Sequence, residues 1–355
     1  MPGERAPLIG SLKKSILIKQ MKSSEALNKK LFEEEKPKDL VIKDSKEVLF
    51  YNLEDIKNKV IQGDAFKVLK KIPEESFDMV FIDPPYFLQL SKKELKRWNV
   101  KTTVNGVLDE WDKFSSFEEY DRFIENLLLE VKRVMKPNAT LWVIGTYHNI
   151  FRVGKIMQDL GFWILNDVIW VKTNPMPNWL GVRFTNATET LIWAVKDKSV
   201  KKYTFNREYA KSFGIGKVGA NVWVLPICGR SERLLDEKGQ KLHSTQKPIE
   251  LLKRVILTST KEGDLILDPM AGTGTTGYVA KALGRDFVMI EVNPKYVKGI
   301  EERFKKPLRI TDKDAINRSL IQKYIIQEEF SKMEGKVYKQ LADDIKEKLV
   351  KYYGG

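Results

Sequence analysis

Apolar residues follow two rhythms along this chain. Phe77-Asp78-Met79-Val80-Phe81-Ile82 is a nearly continuous apolar run of strand length. Thr140 to Thr146, Leu265-Ile266-Leu267 and Asp286 to Val292 repeat the form, and Lys59-Val60-Ile61-Gln62 is a shorter version. Such runs suit strands buried on both faces of a parallel sheet. Helical spacing lies between them. Ser116 to Met135 puts Phe123, Leu127, Val131 and Val134 on one face, with Ser116 as cap and Glu118 and Glu119 at the positive end. Gln246 to Thr260 has Pro248 near its start and Leu251, Leu252, Val255 and Ile256 on one face. Ala65 to Lys71, Phe151 to Leu160 and Pro294 to Phe304 are further helices, as is the stretch ending near Leu283. Pro73 and Pro137-Asn138 stop two of them. Phe162 to Lys172 and Thr188 to Val195 read as antiparallel partners at a sheet edge. The alternation predicts an α/β fold with a mostly parallel sheet.

Three stretches break the rhythm. Residues 1–44 are rich in lysine and glutamate with a thin apolar face, and read as an accessory arm. Residues 87–116 form a long polar loop with a turn signal at Asn105-Gly106. Residues 197–242 form a basic insertion with glycines at 214, 216 and 219. The expected organisation is an arm (1–44), one domain (45–305) with an inserted recognition region at about 174–242, and a helical tail (306–355).

Composition narrows the classes. The chain has 355 residues, 42% of them hydrophobic, enough for one large α/β domain with insertions or for two domains. No run of 18 apolar residues is present, so no membrane span is expected, nor is a signal peptide. One cysteine, Cys228, fits a reducing compartment, and with two histidines it argues against a Cys/His zinc site, so no metal is expected. Net charge is +14, and +8 of it falls between Lys196 and Arg254, where 14 Lys and Arg face 6 Asp and Glu. Tyr203, Phe205, Tyr209, Phe213 and Trp223 lie in that stretch, which reads as a surface for a polyanion.

Two motifs carry chemistry. Asp83-Pro84-Pro85-Tyr86 follows the strand 77–82. Neither proline has an N–H to continue a ladder, so the strand ends in a rigid corner. A carboxylate, carbonyls and an aromatic ring stand together there. That set suits a planar molecule with an amino group, whose hydrogens are accepted while the ring stacks on its face. The plainer alternative is a strand end with a stop and a tyrosine. The second motif, Met270-Ala271-Gly272-Thr273-Gly274-Thr275-Thr276-Gly277, sets G-x-G-x-x-G between a strand and a helix, with Glu291 at the end of the next strand. Glycines allow close backbone approach, and the acid can accept from ribose hydroxyls. NAD and S-adenosylmethionine both satisfy this pattern.

Together the motifs resemble the amino-group DNA methyltransferases. Asp83-Pro84-Pro85-Tyr86 matches their catalytic motif, and Asp268-Pro269-Met270-Ala271-Gly272-Thr273-Gly274-Thr275 looks like their cofactor loop, with Met270 where an aromatic is usual. His243-Ser244-Thr245-Gln246-Lys247-Pro248 is similar to the short motif ahead of their first helix. The order of motifs is that of the β class. Lys172-Thr173-Asn174-Pro175-Met176-Pro177-Asn178 and Arg183-Phe184-Thr185-Asn186-Ala187 resemble the CcrM and HinfI group. The likeness spans about residues 50–305.

The resemblance implies a Rossmann-like S-adenosylmethionine-dependent fold in permuted order. It implies methyl transfer to the N6 amine of a flipped adenine, with double-stranded DNA as partner. Asp83 and the Pro84 carbonyl would hold the amine at the corner that Pro85 stiffens, and Tyr86 would stack on the base. Asp268, Met270, Gly272, Thr273, Gly274 and Thr275 would form the cofactor loop. Glu291 would hold the ribose and Asp64 the adenine side, although Asp64 also suits a helix cap. Thr245 and Lys247 would lie near the methionine carboxylate. Arg183 and Asn186 are expected to read bases, and Lys201 and Lys202 to meet phosphates. Cytosine-N4 methylation, an NAD-dependent oxidoreductase and a catalytically silent DNA-binding protein are the alternatives. A homodimer, a cognate restriction endonuclease and a place with the nucleoid in a prokaryotic cytoplasm complete the expectations.

Overall fold

The computed structural model describes residues 40–88, 112–178, 181–213, 219–229, 231–306 and 308. Most of the expected arm, loop and tail, with Gly214 and Gly216, lies outside the described residues. The strands are β1 Val41–Lys43, β2 Lys59–Gln62, β3 Phe77–Ile82, β4 Met135–Gly145, β5 Trp163–Lys172, β6 Thr188–Val195, β7 Val222–Leu225, β8 Leu265–Asp268 and β9 Asp286–Glu291. The helices are α1 Leu53–Ile56, α2 Ala65–Leu69, α3 Phe117–Val134, α4 Ile150–Asp159, α5 Arg207–Phe213, α6 Ile249–Ser259, α7 Thr275–Ala282 and α8 Pro294–Phe304.

Among the described residues these strands form one sheet in the order β1-β2-β9-β8-β3-β4-β6-β5-β7. Neighbours from β1 to β4 run parallel. β6 is antiparallel to β4 and to β5, and β7 runs parallel to β5. β3 shows why its sequence is nearly all apolar. Met79 and Phe81 enter one core while Phe77, Val80 and Ile82 enter the other, so both faces are covered.

The order of strands creates the crevice. β8 and β3 are neighbours, with Met79 opposite Ile266. From β8 the chain leaves through α7 toward β9, and from β3 through α3 toward β4, on the opposite side. Loops that part at the carboxyl ends of adjacent parallel strands leave a cleft there. Asp83 follows the end of β3, and Asp268 is the last residue of β8.

Several elements depart from the sequence reading. Val41–Lys43 lies inside the expected arm yet pairs with β2, so the sheet begins before residue 44. β4 starts at Met135, directly after α3, rather than after Pro137-Asn138. Its register with β3 jumps from Phe77↔Met135 to Met79↔Thr140, and exposed Pro137 and Asn138 sit in the bulge between. The antiparallel pair is not the sheet edge, because β7, from within the basic insertion, pairs outside β5. That strand explains two aromatics differently. Trp223 packs near Trp142 in the core, and Tyr209 is also buried. Lys247, Lys253 and Arg254 are buried too, so part of the expected basic surface is internal.

Candidate active site

The corner after β3 is held by groups far away in sequence. Tyr120 Oη donates to the Pro85 carbonyl at 2.8 Å, and Asn149 Nδ2 donates to Tyr120 Oη at 3.0 Å. Phe87 adopts φ +49°, a left-handed conformation that costs a bulky residue energy. Asp112 offsets this by accepting from the backbone N–H groups of Phe87 and Leu88, at 2.7 and 2.9 Å. The two prolines and these braces fix where the Asp83 and Tyr86 side chains project.

Those side chains belong to a chain of buried and half-buried polar groups. Lys247 Nζ donates to Asp83 Oδ2 at 2.6 Å and sits over the Tyr86 ring, 5.2 Å from its centroid. Tyr86 Oη lies 3.0 Å from Asp83 Oδ1 and 3.2 Å from Glu189 Oε2. Lys172 Nζ pairs with Glu189 Oε1 at 2.9 Å. Burial lifts Asp83 above the usual carboxylate range, against the pull of Lys247 and the Tyr86 hydroxyl. Burial also works against the Lys247 charge, yet Asp83 and Glu189 keep its pKa above the ordinary lysine value. Tyr86 is held protonated, first by burial and then by the two carboxylates.

The glycine-rich turn after β8 has its own braces. Gly272 and Gly274 take φ of +51° and +67°, where residues with a Cβ are strained. Glu291 Oε2 accepts from the Gly272 N–H and Oε1 from the Asn293 N–H, both at 2.7 Å. Asp268 accepts from the Met270 N–H at 3.1 Å and from Thr276 Oγ1 at 2.6 Å. Arg303 donates to the Thr273 carbonyl and to Thr275 Oγ1, at 3.0 and 2.8 Å. Burial pushes the Asp268 and Glu291 carboxyls up to about 7 each.

Both motifs face one cavity of about 420 Å³. Asp83, Pro84, Pro85, Tyr86, Asp64, Thr245, Lys247, Asp268, Met270, Gly272, Thr273, Thr275 and Glu291 line it, joined by His243, Asn293 and Tyr296. Asp64 also caps α2, accepting from the Lys67 N–H at 3.0 Å. Lys247, placed by the resemblance near a methionine carboxylate, is here committed to Asp83. Gly274 stands behind the turn, where a Cβ would lie 2.9 Å from Ile300 Cγ1. Cys228 does not line the cavity, and burial raises its thiol pKa. Arg183 and Asn186 are exposed on the β5–β6 loop, apart from the cavity, and Lys201 and Lys202 are exposed as well. Arg183 shares an open groove with Phe117, Tyr147, His148, Phe151 and Arg152. Sequence reasoning missed Glu189, Lys172, Tyr120, Asn149 and Asp112, which have no local motif and meet the corner only through the fold.

The chain matches the DNA methylase model (N6_N4_Mtase) over residues 77–302, which includes both motifs. It is 51% identical over 255 residues to the type II methyltransferase M.HinfI of Haemophilus influenzae, covering 72% of this chain and 70% of the relative. The chain belongs to the DNA methylase family. A second family member, the type II methyltransferase M2.LlaDCHI of Lactococcus lactis subsp. cremoris, is 42% identical over 247 residues, covering 70% of this chain and 89% of the relative. The fold is shared with the PvuII DNA methyltransferase (cytosine-N4-specific), at TM-score 0.55 and 22% identity, covering 74% of this chain and 92% of that one. It is shared also with the M1.HpyAVI–SAM complex, at TM-score 0.50 and 23% identity, over 70% of this chain and 98% of that one. Among the described residues of this DNA methylase no helix is long and apolar enough to cross a membrane.

Proposed function

We propose that this DNA methylase is site-specific and transfers a methyl group from S-adenosylmethionine to the N6 amine of adenine in double-stranded DNA. One observation carries the reading: the Asp83 corner and the glycine-rich turn open into the same cavity. Its volume lies within the range of small-molecule sites. The residues suit the cofactor, since Gly272 lines the cavity with bare backbone where a Cβ would come into contact with His243, 3.4 Å from its Nε2. Gly272, Thr273, Thr275, Met270 and Asp268 would border the cofactor's amino-acid end, with Thr245 nearby. Glu291 would accept from its ribose and Asp64 would face its adenine. Bound there, S-adenosylmethionine supplies an electrophilic methyl group.

The chain's own residues do the rest. An adenine amine is a weak nucleophile because its lone pair is delocalised into the ring. Asp83 and the Pro84 carbonyl accept its hydrogens and favour the pyramidal form. Tyr86 stacks on the ring, offsetting part of the few kcal/mol that extrusion from the duplex costs. Asp83 is the nearest base for the proton that the amine sheds. An aspartate in the first position of the corner supports adenine over cytosine. Residues 174–242 with 87–116 are the proposed recognition region, Arg183 and Asn186 its base readers, and Lys201 and Lys202 phosphate contacts. The type II names of both relatives support a companion restriction endonuclease. A homodimer and a place in a prokaryotic cytoplasm with the nucleoid belong to the same proposal.

Incubation with methyl-labelled S-adenosylmethionine and DNA, followed by digestion to nucleosides, tests it. Label in N6-methyladenine supports the reading. Label in N4-methylcytosine, or NAD reduction without methyl transfer, overturns it.

A further inference from the structure

The Tyr86 hydroxyl stands between two acceptors, Asp83 Oδ1 at 3.0 Å and Glu189 Oε2 at 3.2 Å. A phenol has one proton to donate, so it serves one carboxylate well or both poorly. The other Asp83 oxygen is engaged by Lys247 at 2.6 Å. A Tyr86 proton given to Asp83 therefore engages both carboxylate oxygens and competes with any amine at that corner. A proton given to Glu189 leaves Asp83 Oδ1 open.

Glu189 is placed for the second arrangement. It is the second residue of β6, opposite Trp170 of β5. Lys172 holds its other oxygen at 2.9 Å, and the two side chains retain 12% and 11% exposure. This partner fixes the direction of the carboxylate, so that its other oxygen, Oε2, faces the phenol. Lys172 and Glu189 also stand at the two ends of the β5–β6 segment that carries Arg183 and Asn186, which ties that segment to the corner.

We infer that Glu189 is a positioning residue for methyl transfer: it draws the Tyr86 hydroxyl away from Asp83, leaving Asp83 Oδ1 to accept from the target amine. The inference rests on the amine-methylation reading above and adds a residue that touches neither substrate nor cofactor. Glu189 acts through Tyr86, and Lys172 acts through Glu189.

A double-mutant cycle tests it, with Glu189→Ala and Glu189→Gln each made alone and combined with Tyr86→Phe. The amide variant fills the same space and removes the charge, so it guards against loss of folding. Single-turnover transfer from labelled S-adenosylmethionine to unmethylated plasmid DNA gives the rate, and fluorescence anisotropy gives DNA affinity separately. With Tyr86 present, Glu189→Ala slows transfer about tenfold, one hydrogen bond's worth, while DNA affinity changes by less than about threefold. Glu189→Gln falls between. Combined with Tyr86→Phe, either change costs less than about twofold, because no hydroxyl is left to be drawn off. Equal losses in both backgrounds overturn the inference, as does an unchanged rate when Tyr86 is present. A parent protein that transfers no methyl group to DNA brings down the proposed function and this inference with it.

Discussion

Lys247 Nζ lies 2.6 Å from Asp83 Oδ2, with side-chain exposures of 6% and 20%. The pair joins the loop before α6 to the end of β3, two places brought together by the fold. Burial raises the Asp83 pKa, and the lysine pulls against that rise.

Lys247→Met therefore leaves Asp83 buried without its cation. Above its raised pKa the carboxylate is an uncompensated buried charge, and below it a neutral acid. The variant should lose about 3 kcal/mol of stability at pH 8 and less at pH 5. Urea unfolding at the two pH values measures this. A loss equal at both values contradicts the pairing.

Glu291 sits near pH 7 through burial, against hydrogen bonds from backbone N–H groups, and its charge also helps to raise Asp268. Its folded pKa is raised, so the ligand-free protein loses stability as pH climbs from about 4 to 7, the window between unfolded and folded values. Ribose hydroxyls bind the ionised form better. Calorimetry should show S-adenosylmethionine binding more tightly at pH 8 than at pH 6, by up to about tenfold, and Glu291→Gln should flatten the trend. A trend that survives in the variant excludes Glu291 as its source.

Gly274 adopts φ +67°, and an added Cβ would meet Ile300 at 2.9 Å. Gly274→Ala should cost roughly 2–4 kcal/mol from left-handed strain plus overpacking. Thermal unfolding checks it, and a cost under about 0.5 kcal/mol would mean that the turn readily takes another shape.

Lys201 and Lys202 are exposed on the segment after β6. Replacing both by Ala should weaken binding to all DNA sequences alike and lower the slope of log affinity against log salt by up to about 2. An unchanged slope removes them from the phosphate contacts.

The strands that carry the site were legible because burial on both faces leaves a nearly continuous apolar signature, as in Phe77 to Ile82. α3 was legible from cap and face together, and α8 from the proline at its start. Ser116 accepts from the Glu119 N–H, and Pro294 opens α8 as its first residue. β1 and β7 were not. Val41–Lys43 has only two apolar residues, and Val222–Leu225 is an apolar run inside a stretch read as a basic insertion; pairing with β2 and β5 makes them strands. The same limit hid the support of the corner. Tyr120 reaches Pro85 across 35 positions and Glu189 reaches Tyr86 across 103, distances at which no spacing rule operates. The motifs showed which side chains could act, while the fold shows what holds them.

The proposed role of the Asp83 corner is to methylate the adenine amine within a defined DNA sequence. Nucleotide-resolved mapping of modified bases in cells expressing the parent chain, beside cells expressing Asp83→Ala, which removes the acceptor, tests this role. N6-methyladenine should appear at one short recurring sequence with the parent and nowhere with the variant. Methylated cytosine, no modification with the parent, or the same adenine pattern with Asp83→Ala would contradict that role.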